Sequence, residues 1–261
     1  LPDPLRKAVL AAWGKRATRA IEAAHMAGAP LDLSPRGDVR ALAEAVGGAV
    51  LPTGSVRLPG KPQVSALPGY DTGAFWVQDA AAALPVLCLG DVAGLRVLDM
   101  CAAPGGKTMQ LAARGATVTA LDLSADRLAR VEENLARTGL QATCVAGDAL
   151  QHAGRYDAVL LDAPCSASGT VRRHPDLPHL LGLEGLATRT ALQDAMLDHA
   201  LTLLAPGGRL VYATCSLLPD EGEARIGAAL ARHPGLRVAP IDASWAEPAW
   251  RSPEGGLRLR P

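Results

Sequence analysis

The sequence predicts an α/β protein with a largely parallel sheet covered by helices on both faces. Short apolar runs alternate with helical segments from residue 75 onward, which is typical of such a sheet. The runs are continuous rather than alternating, as in strands that are buried on both faces. Residues 51–70 are instead rich in Pro and Gly. We therefore expect a main domain over residues 71–261, preceded by a small α+β module over residues 1–70.

The front module is predicted to combine helices with short β segments. Apolar side chains recur every four residues from Leu5 to Ile21 and mark one face of a helix, which Gly28-Ala-Pro30 ends. The other elements expected here are a strand at 31–33, a helix at 38–46, and β segments at 56–58 and 64–67. Residues 1–61 carry nine Lys or Arg against five Asp or Glu, whereas the whole chain has no net charge. This basic excess suits an accessory RNA-binding module, although a solvated helix face explains the same charges.

In the main domain, helix ends carry recognisable signals. Asp79 suits the first turn of a helix that runs to about Cys88, and Ser124 caps a helix that Gly139 terminates. Strands are expected at 75–77, 95–98, 116–121, 142–145, 156–161, 209–213 and 236–240, and further helices at 107–114, 125–137, 186–204 and 220–231. No apolar run reaches the ~20 residues of a membrane span, so we expect no membrane contact.

A strand, a tight turn of small residues and a helix follow one another in Arg96-Val-Leu-Asp-Met-Cys-Ala-Ala-Pro-Gly-Gly-Lys-Thr108. Bare backbone in such a turn lets a nucleotide approach, and the helix offers unpaired N–H groups. The glycine spacing fits neither the dinucleotide nor the ATP-binding fingerprint. Asp122, at the end of the next strand, is placed to accept ribose hydroxyls. These features favour S-adenosylmethionine, an adenosine ligand without pyrophosphate, although the same strand, turn and helix also occur as plain scaffold.

Polar side chains follow several predicted strands at the point where each strand ends. They are Asp99, Asp122, Asp148, Asp162 and Cys215. Because ligands of open parallel sheets bind beyond the carboxyl ends of the strands, we expect these side chains to line one rim. The predicted fold is therefore Rossmann-like, of the kind found in S-adenosylmethionine-dependent methyltransferases. Asp148 could also simply stabilise a turn.

The five cysteines fall into two groups. Three are expected to be buried packing residues: Cys88, Cys101 and Cys144. Cys165 and Cys215 each follow a buried strand and precede a serine, which indicates reactive thiols. No C-x-x-C pair is present, so we expect no metal site. Dispersed free thiols in an α/β chain suggest the reducing cytoplasm.

Three motifs together resemble the RNA cytosine-5 methyltransferases of the NOL1/NOP2/Sun family. They are Leu98-Asp-Met-Cys-Ala-Ala-Pro-Gly-Gly-Lys107, Leu161-Asp-Ala-Pro-Cys-Ser-Ala-Ser-Gly-Thr-Val-Arg-Arg-His-Pro-Asp176 and Tyr212-Ala-Thr-Cys-Ser216. The Arg172-Arg-His-Pro-Asp176 continuation points to the branch that acts on small-subunit (16S) ribosomal RNA. Family members often carry an all-helical RNA-binding domain upstream of the position where this chain begins. They usually finish with an aromatic-rich strand beyond the position where this chain stops.

The resemblance implies a role for each site residue. Cys215 corresponds to the thiol that attacks C6 of a cytosine, and Cys165 to the thiol that assists elimination and release. Asp162 corresponds to the acid that hydrogen-bonds the base. Cofactor contacts are implied for Ala102, Ala103, Pro104, Gly105, Gly106, Lys107, Thr108, Asp122, Asp148 and Asp162. RNA contacts are suggested for Arg172, Arg173 and His174, which could equally fix the loop or face solvent.

The residues alone do not decide which thiol attacks. DNA cytosine-5 methyltransferases place their nucleophile in a Pro-Cys pair, and this chain has one at Pro164-Cys165. Only the family resemblance selects Cys215.

The expected function is methyl transfer from S-adenosylmethionine to C5 of a cytosine in RNA, by a monomer. Small-subunit ribosomal RNA is the expected partner, and transfer RNA is the alternative. A methyltransferase of the same fold that acts on DNA or on protein amide nitrogen would not need the second thiol. A non-catalytic RNA-binding factor of ribosome assembly would need neither.

Overall fold

The computed structural model describes residues 1–180, 183–241 and 243–261. It divides the chain into two compact units. The sheet unit comprises Pro30–Asp162 and His199–Tyr212, and the thiol unit comprises Leu1–Ala29, Ala163–Asp198 and Ala213–Pro261. The predicted domain boundary at residue 70 stays a prediction, because compactness of the backbone does not show which segments act independently.

Helices and strands alternate along most of the chain. Within the described residues the helices are α1 Asp3–Ala27, α2 Val39–Val46, α3 Ala80–Cys88, α4 Gly106–Ala113, α5 Ala125–Thr138, α6 Leu177–Leu180, α7 Leu186–Thr202 and α8 Glu223–Arg232. The strands are β1 Asp32–Pro35, β2 Ala49–Val50, β3 Val56–Arg57, β4 Phe75–Val77, β5 Arg96–Met100, β6 Thr117–Asp122, β7 Thr143–Ala146, β8 Tyr156–Asp162 and β9 Leu204–Ala213.

The main sheet has five strands in the order β7-β6-β5-β8-β9. Val97 of β5 lies opposite Val118 of β6 and Ala158 of β8, and both pairings are parallel. The chain first builds outward from β5 through β6 to β7 and then returns to the other side of β5. This change of direction is the place where open parallel sheets bind ligands. The predicted fold class is confirmed.

A second, antiparallel sheet lies in the front part of the sheet unit. Its strands follow the order β2-β3-β1-β4, and α2 packs on them through an apolar cluster that includes Leu33, Leu42 and Phe75. Asp38 caps α2 by accepting hydrogen bonds from the backbone N–H groups of Arg40 and Ala41. The module was therefore correctly predicted as mixed α and β.

The predicted apolar stripe of α1 is buried from Leu5 to Ile21, although Gly14 interrupts the helix. Leu5 and Val9 are buried, but Gly14 has φ +74° and ψ 170° and interrupts the helix. Beyond this break the buried positions are Thr18 and Ile21, and the Thr18 hydroxyl donates to the Gly14 carbonyl at 2.8 Å. The break at Gly14 shifts the buried position from Ala17 to Thr18, but Ile21 still packs in the same cluster as Leu5 and Val9.

Two predicted β segments are wrong. Val64–Ala66 is a 3₁₀-helix, in which the Leu67 backbone N–H donates to the Val64 carbonyl. Residues 236–240 have no regular secondary structure, and Val238 is 41% exposed. A strand needs a partner and a buried face, and an exposed segment of this kind gains neither.

The boundary between α7 and β9 is also not where the sequence predicts it. The helix ends at Thr202, and β9 already begins at Leu204. Pro206 therefore lies within the strand instead of stopping the helix. A proline is tolerated there because β9 is at the edge of the sheet, where a ladder hydrogen bond is not required on the outer side.

Among the described helices, none combines the length and the apolar character that a membrane crossing requires.

The core of the main sheet gives the first prediction. Leu160 of β8 is completely buried in a cluster with Val97 and Leu111. We expect Leu160→Ala to lower the free energy of unfolding by roughly 2–5 kcal/mol, because it leaves a cavity. Leu180→Ala, at a position that is 72% exposed, is the matched control and should change stability by less than about 0.5 kcal/mol. Urea denaturation measures both, and equal effects would contradict the assigned burial.

Candidate functional site

The turn between β5 and α4 is shaped to admit a ligand against bare backbone. Gly105 has φ +98°, and a Cβ there would lie 2.9 Å from Cγ1 of Val131. Only glycine adopts this positive φ without strain and has no Cβ to collide with Val131. Helix α4 begins at the next residue, Gly106, and its first backbone N–H groups have no partner within the helix. The predicted cradle is thus present as a local backbone structure.

Asp99 lies completely buried beneath this turn. Its Oδ2 accepts a hydrogen bond from the Thr108 hydroxyl at 2.6 Å, whereas Oδ1 has no partner among the described residues. Burial raises the pKa of Asp99 to about 7, although the hydrogen bond from Thr108 and the charge of Lys107 act against this rise. A buried oxygen without a partner is costly. The unpaired Asp99 Oδ1 therefore points to a ligand in the cradle.

Asp122 ends β6 and is 3% exposed. Its Oδ2 accepts a hydrogen bond from the backbone N–H of Ala103 at 3.0 Å, and its Oδ1 accepts one from the N–H of Ser124 at 3.1 Å. Arg127 contacts both Ala103 and Asp122. Its Nη2 lies 2.6 Å from the Ala103 carbonyl oxygen, and its Nη1 lies 3.5 Å from Asp122 Oδ1. The carboxylate thereby fixes the turn, and its remaining lone pairs can accept hydroxyl donors.

Two further predicted cofactor residues have local partners of their own. Asp148 is exposed beyond the end of β7, and its Oδ1 accepts a hydrogen bond from the Leu150 N–H at 2.9 Å. It therefore acts as a turn acid, and its contact with the cofactor stays a prediction. Lys107 Nζ lies 2.7 Å from Asp162 Oδ2, and both side chains are partly buried. The structure thus joins two predicted site residues in one ion pair.

The two predicted reactive thiols contact each other within the thiol unit. The sulfur atoms of Cys165 and Cys215 are 3.4 Å apart, a hydrogen-bond distance for sulfur. Cys215 is exposed, and Cys165 is half-buried. The backbone N–H of Gly169 donates to the Cys215 carbonyl at 2.8 Å, and a Cβ at Gly169 would lie 2.8 Å from that oxygen. Glycine is therefore needed where the two loops meet.

The surroundings of Cys165 keep it protonated. Its pKa is raised well above the ordinary value by the hydrogen bond with Cys215 and then by burial, with a further contribution from the negative charge of Glu221. A protonated Cys165 can donate its S–H to the Cys215 sulfur. Burial also raises the pKa of Cys88 to about 11 and that of Cys101 to about 12, which disfavours reactive thiolates at these two positions.

Sequence reasoning missed a buried acid beside the thiols. Glu221 is completely buried and accepts hydrogen bonds from the backbone N–H and the hydroxyl of Ser166. The sequence placed this residue only within the predicted helix at 220–231. The serine that follows each thiol was a sequence signal for polar contacts near the thiols. The burial of Glu221, by contrast, is visible only in the structure.

The residues suggested for RNA contact form a turn after the 3₁₀-helix Ser168–Thr170. The backbone N–H groups of Arg173 and His174 both donate to the Thr170 carbonyl, and both side chains are exposed. Arg172 is half-buried. Contact with RNA stays a prediction for all three. In the described part of the chain, no group of three or more His, Cys, Asp or Glu is placed to hold a metal ion.

A five-stranded sheet that changes direction at β5, where it carries a small-residue cradle, defines a protein with the Rossmann-like methyltransferase fold. Residues 86–256 match the family described as 16S rRNA methyltransferase RsmB/F. The chain belongs to this family, and the resemblance predicted from its motifs is confirmed.

Curated relatives agree with this assignment. The chain is 44% identical over 206 residues to ribosomal RNA small subunit methyltransferase B of Erwinia tasmaniensis. The matched region covers 71% of this chain and 48% of the relative. The protein of the same name from Sodalis glossinidius is 39% identical over 254 residues, which covers 89% of this chain and 58% of the relative. The chain therefore spans about half the length of the curated relatives it matches.

A solved structure supports the fold. A methyltransferase homolog protein from Pyrococcus horikoshii superposes with a TM-score of 0.78 at 29% sequence identity, which covers 97% of this chain and 85% of that chain.

The buried carboxyl group of Asp99 gives the second prediction. Its native pKa of about 7 lies above the ordinary value of 3.8, so the native state binds this proton more tightly than the unfolded state. The resulting stabilisation is present at low pH and is lost as pH rises through about 7. Asp99→Asn cannot lose a proton and replaces the unpaired oxygen by an amide. We expect its stability advantage over the unsubstituted chain to grow between about pH 4 and 7, by at most about 1.4 kcal/mol per pH unit.

Urea denaturation of both proteins at several pH values measures this difference. Asp71→Asn, at an exposed position, is the control and should show no such trend. A difference for Asp99→Asn that stays constant with pH would show that Asp99 titrates normally.

Proposed function

We propose that this chain transfers a methyl group from S-adenosylmethionine to C5 of a cytosine in RNA, with small-subunit ribosomal RNA as the substrate. The observation that carries the proposal is the 3.4 Å distance between the sulfur atoms of Cys165 and Cys215. A single nucleophile is enough to start the reaction, but a second thiol in contact with it suits the later elimination. Membership of the RsmB/F family supports the class of substrate.

The cradle fits S-adenosylmethionine. The turn at Gly105 leaves room for a ligand against the backbone, Asp122 can accept ribose hydroxyls, and the unpaired Asp99 Oδ1 offers a hydrogen-bonding partner. When bound, this cofactor supplies a methyl group on a positively charged sulfur. The chain's own residues hold it and perform the remaining chemistry.

Cys215 is the attacking nucleophile in this proposal. Its thiolate adds to C6 of the cytosine, and the electrons of the C5–C6 double bond make C5 nucleophilic enough to accept the methyl group. A base then removes the C5 proton, and the bond from C6 to sulfur breaks to restore the double bond. The exposed position of Cys215 allows a base that has left its stack to approach.

Cys165 assists the departure of Cys215. Because its pKa is raised, it remains a thiol and can donate its S–H to the departing sulfur. Charge on the leaving thiolate is thereby stabilised as it develops.

Asp162 binds the target cytosine by accepting a hydrogen bond from its amino group. The ion pair with Lys107 holds the carboxylate in place. Because the Asp162 carboxylate is already oriented by Lys107, less side-chain entropy is lost when the cytosine binds.

Every residue to which this account assigns a role comes from one chain. We therefore infer that the protein acts as a monomer. We also place it in the cytoplasm, where its thiols stay reduced.

Mapping the methylated base tests the substrate and the site of transfer. The chain is incubated with radiolabelled S-adenosylmethionine and unmodified small-subunit ribosomal RNA, with transfer RNA in a parallel reaction. We expect label on C5 of a cytosine in the ribosomal RNA. Label on another atom, or on transfer RNA alone, would contradict the proposal.

The two thiols give a further prediction, because each acts at a different step. Cys215→Ala should abolish methyl transfer and the covalent RNA adduct. Cys165→Ala should still form the adduct but release it slowly, so that the adduct accumulates. Denaturing gel electrophoresis of protein with labelled RNA measures the adduct. Cys144→Ala, which changes a thiol far along the chain in β7, should behave like the unsubstituted chain. Loss of the adduct only in Cys165→Ala would reverse the two roles.

A further inference from the structure

The loops that carry the two thiols are joined by three buried hydroxyls. Each thiol is followed by a serine, and the Oγ atoms of Ser166 and Ser216 are 3.1 Å apart. Ser168 Oγ lies 3.1 Å from the first and 3.3 Å from the second, and it also accepts a hydrogen bond from the Leu217 N–H at 2.8 Å. The backbone immediately after Cys165 is therefore linked to the backbone immediately after Cys215.

Glu221 anchors this serine cluster. Its Oε1 accepts a hydrogen bond from the Ser166 N–H at 2.9 Å and one from Gln193 Nε2 at 3.2 Å, and its Oε2 accepts one from the Ser166 hydroxyl at 2.5 Å. Arg189 Nε lies 3.7 Å from Oε1 and balances the charge. A carboxylate can only accept, so it orients the Ser166 hydroxyl toward itself and leaves that oxygen free to accept from the neighbouring serines.

We propose that Glu221 is a positioning residue, which holds the sulfur atoms of Cys165 and Cys215 in contact by ordering the serines that follow them. Its importance for methyl transfer rests on the proposed function, but the sulfur contact itself does not. A fully satisfied buried network rigidifies the groups it joins. Removing its charged member leaves several buried donors without a partner, so the loops should separate.

The charge of Glu221 has a second consequence. It contributes to the raised pKa of Cys165, after the larger effects of the hydrogen bond with Cys215 and of burial. Among the described residues, the titratable groups that act on this thiol include Cys215 and Glu221, and Arg189 lies beside Glu221. Glu221 thus favours the arrangement in which Cys165 keeps its proton.

Disulfide trapping tests the proposal without relying on methyl transfer. The folded chain is treated with diamide, which takes up the two hydrogens that the thiols lose when their sulfurs join. Trypsin cleavage after Arg and Lys places Cys165 in the peptide 156–172 and Cys215 in the peptide 210–225. Mass spectrometry without reduction then measures the rate at which these two peptides become linked.

Glu221→Ala should slow the linkage by about tenfold or more, because a displacement of about 1 Å is enough to disrupt reacting groups. Glu221→Gln keeps one acceptor and should have an intermediate effect. Asp220→Asn removes an exposed neighbouring carboxylate and should match the unsubstituted chain. Linkage at the original rate in Glu221→Gln and Glu221→Ala would overturn the proposal.

A pH profile separates positioning from simple loss of stability. Iodoacetamide alkylation of Cys165, followed on peptide 156–172, should begin at lower pH in Glu221→Gln than in the unsubstituted chain. A mere loosening of the fold would also speed the alkylation of Cys88 and Cys101, whose thiols are shielded by burial, whereas the loss of the Glu221 charge should leave both unchanged. If Glu221→Ala does not fold, Glu221→Gln and Ser166→Ala carry the trapping experiment, and unchanged linkage in both would refute the proposed role.

Discussion

The contact between the sulfur atoms of Cys165 and Cys215 depends on two strands that end side by side. β8 and β9 are neighbours in the sheet, and just beyond β8 the Ala163 N–H still donates to the carbonyl of Ala213 at 2.9 Å. Each thiol lies two residues beyond its member of this hydrogen-bonded pair, so the two loops begin side by side. The glycine at 169 and the buried serines then set the final separation. The contact between the two sulfur atoms therefore depends on pairing between segments about 50 residues apart in the sequence, which a local sequence pattern does not determine.

Two buried acids of the site carry a stability cost. Asp99 places an unpaired carboxyl oxygen in the interior, and Glu221 places a charge there that several donors must satisfy. Apolar residues of similar volume would be more stable at such positions. Chemistry explains their presence better than packing does, because one lies beneath the ligand cradle and the other beside the thiols.

Much of the main sheet could be predicted because its signals are local. Continuous apolar runs mark β5 and β8, and Ser124 with Gly139 marks both ends of α5. Predictions failed where tertiary context decides. Val64–Ala66 and residues 236–240 are short segments without a strand partner. The site was predictable as a set of strand-end residues, but the Lys107–Asp162 ion pair and the burial of Glu221 depend on side-chain contacts that the sequence pattern does not contain.

The identity of the nucleophile is the central claim, and a mechanism-based trap tests it most directly. RNA that contains 5-fluorocytosine lacks the C5 proton, so elimination cannot follow methyl transfer and the protein–RNA bond persists. After digestion of protein and RNA, mass spectrometry locates the modified peptide. The account predicts a nucleotide attached to Cys215 in the peptide 210–225. Attachment to Cys165 in the peptide 156–172, or methylated RNA without any covalent adduct, would contradict it.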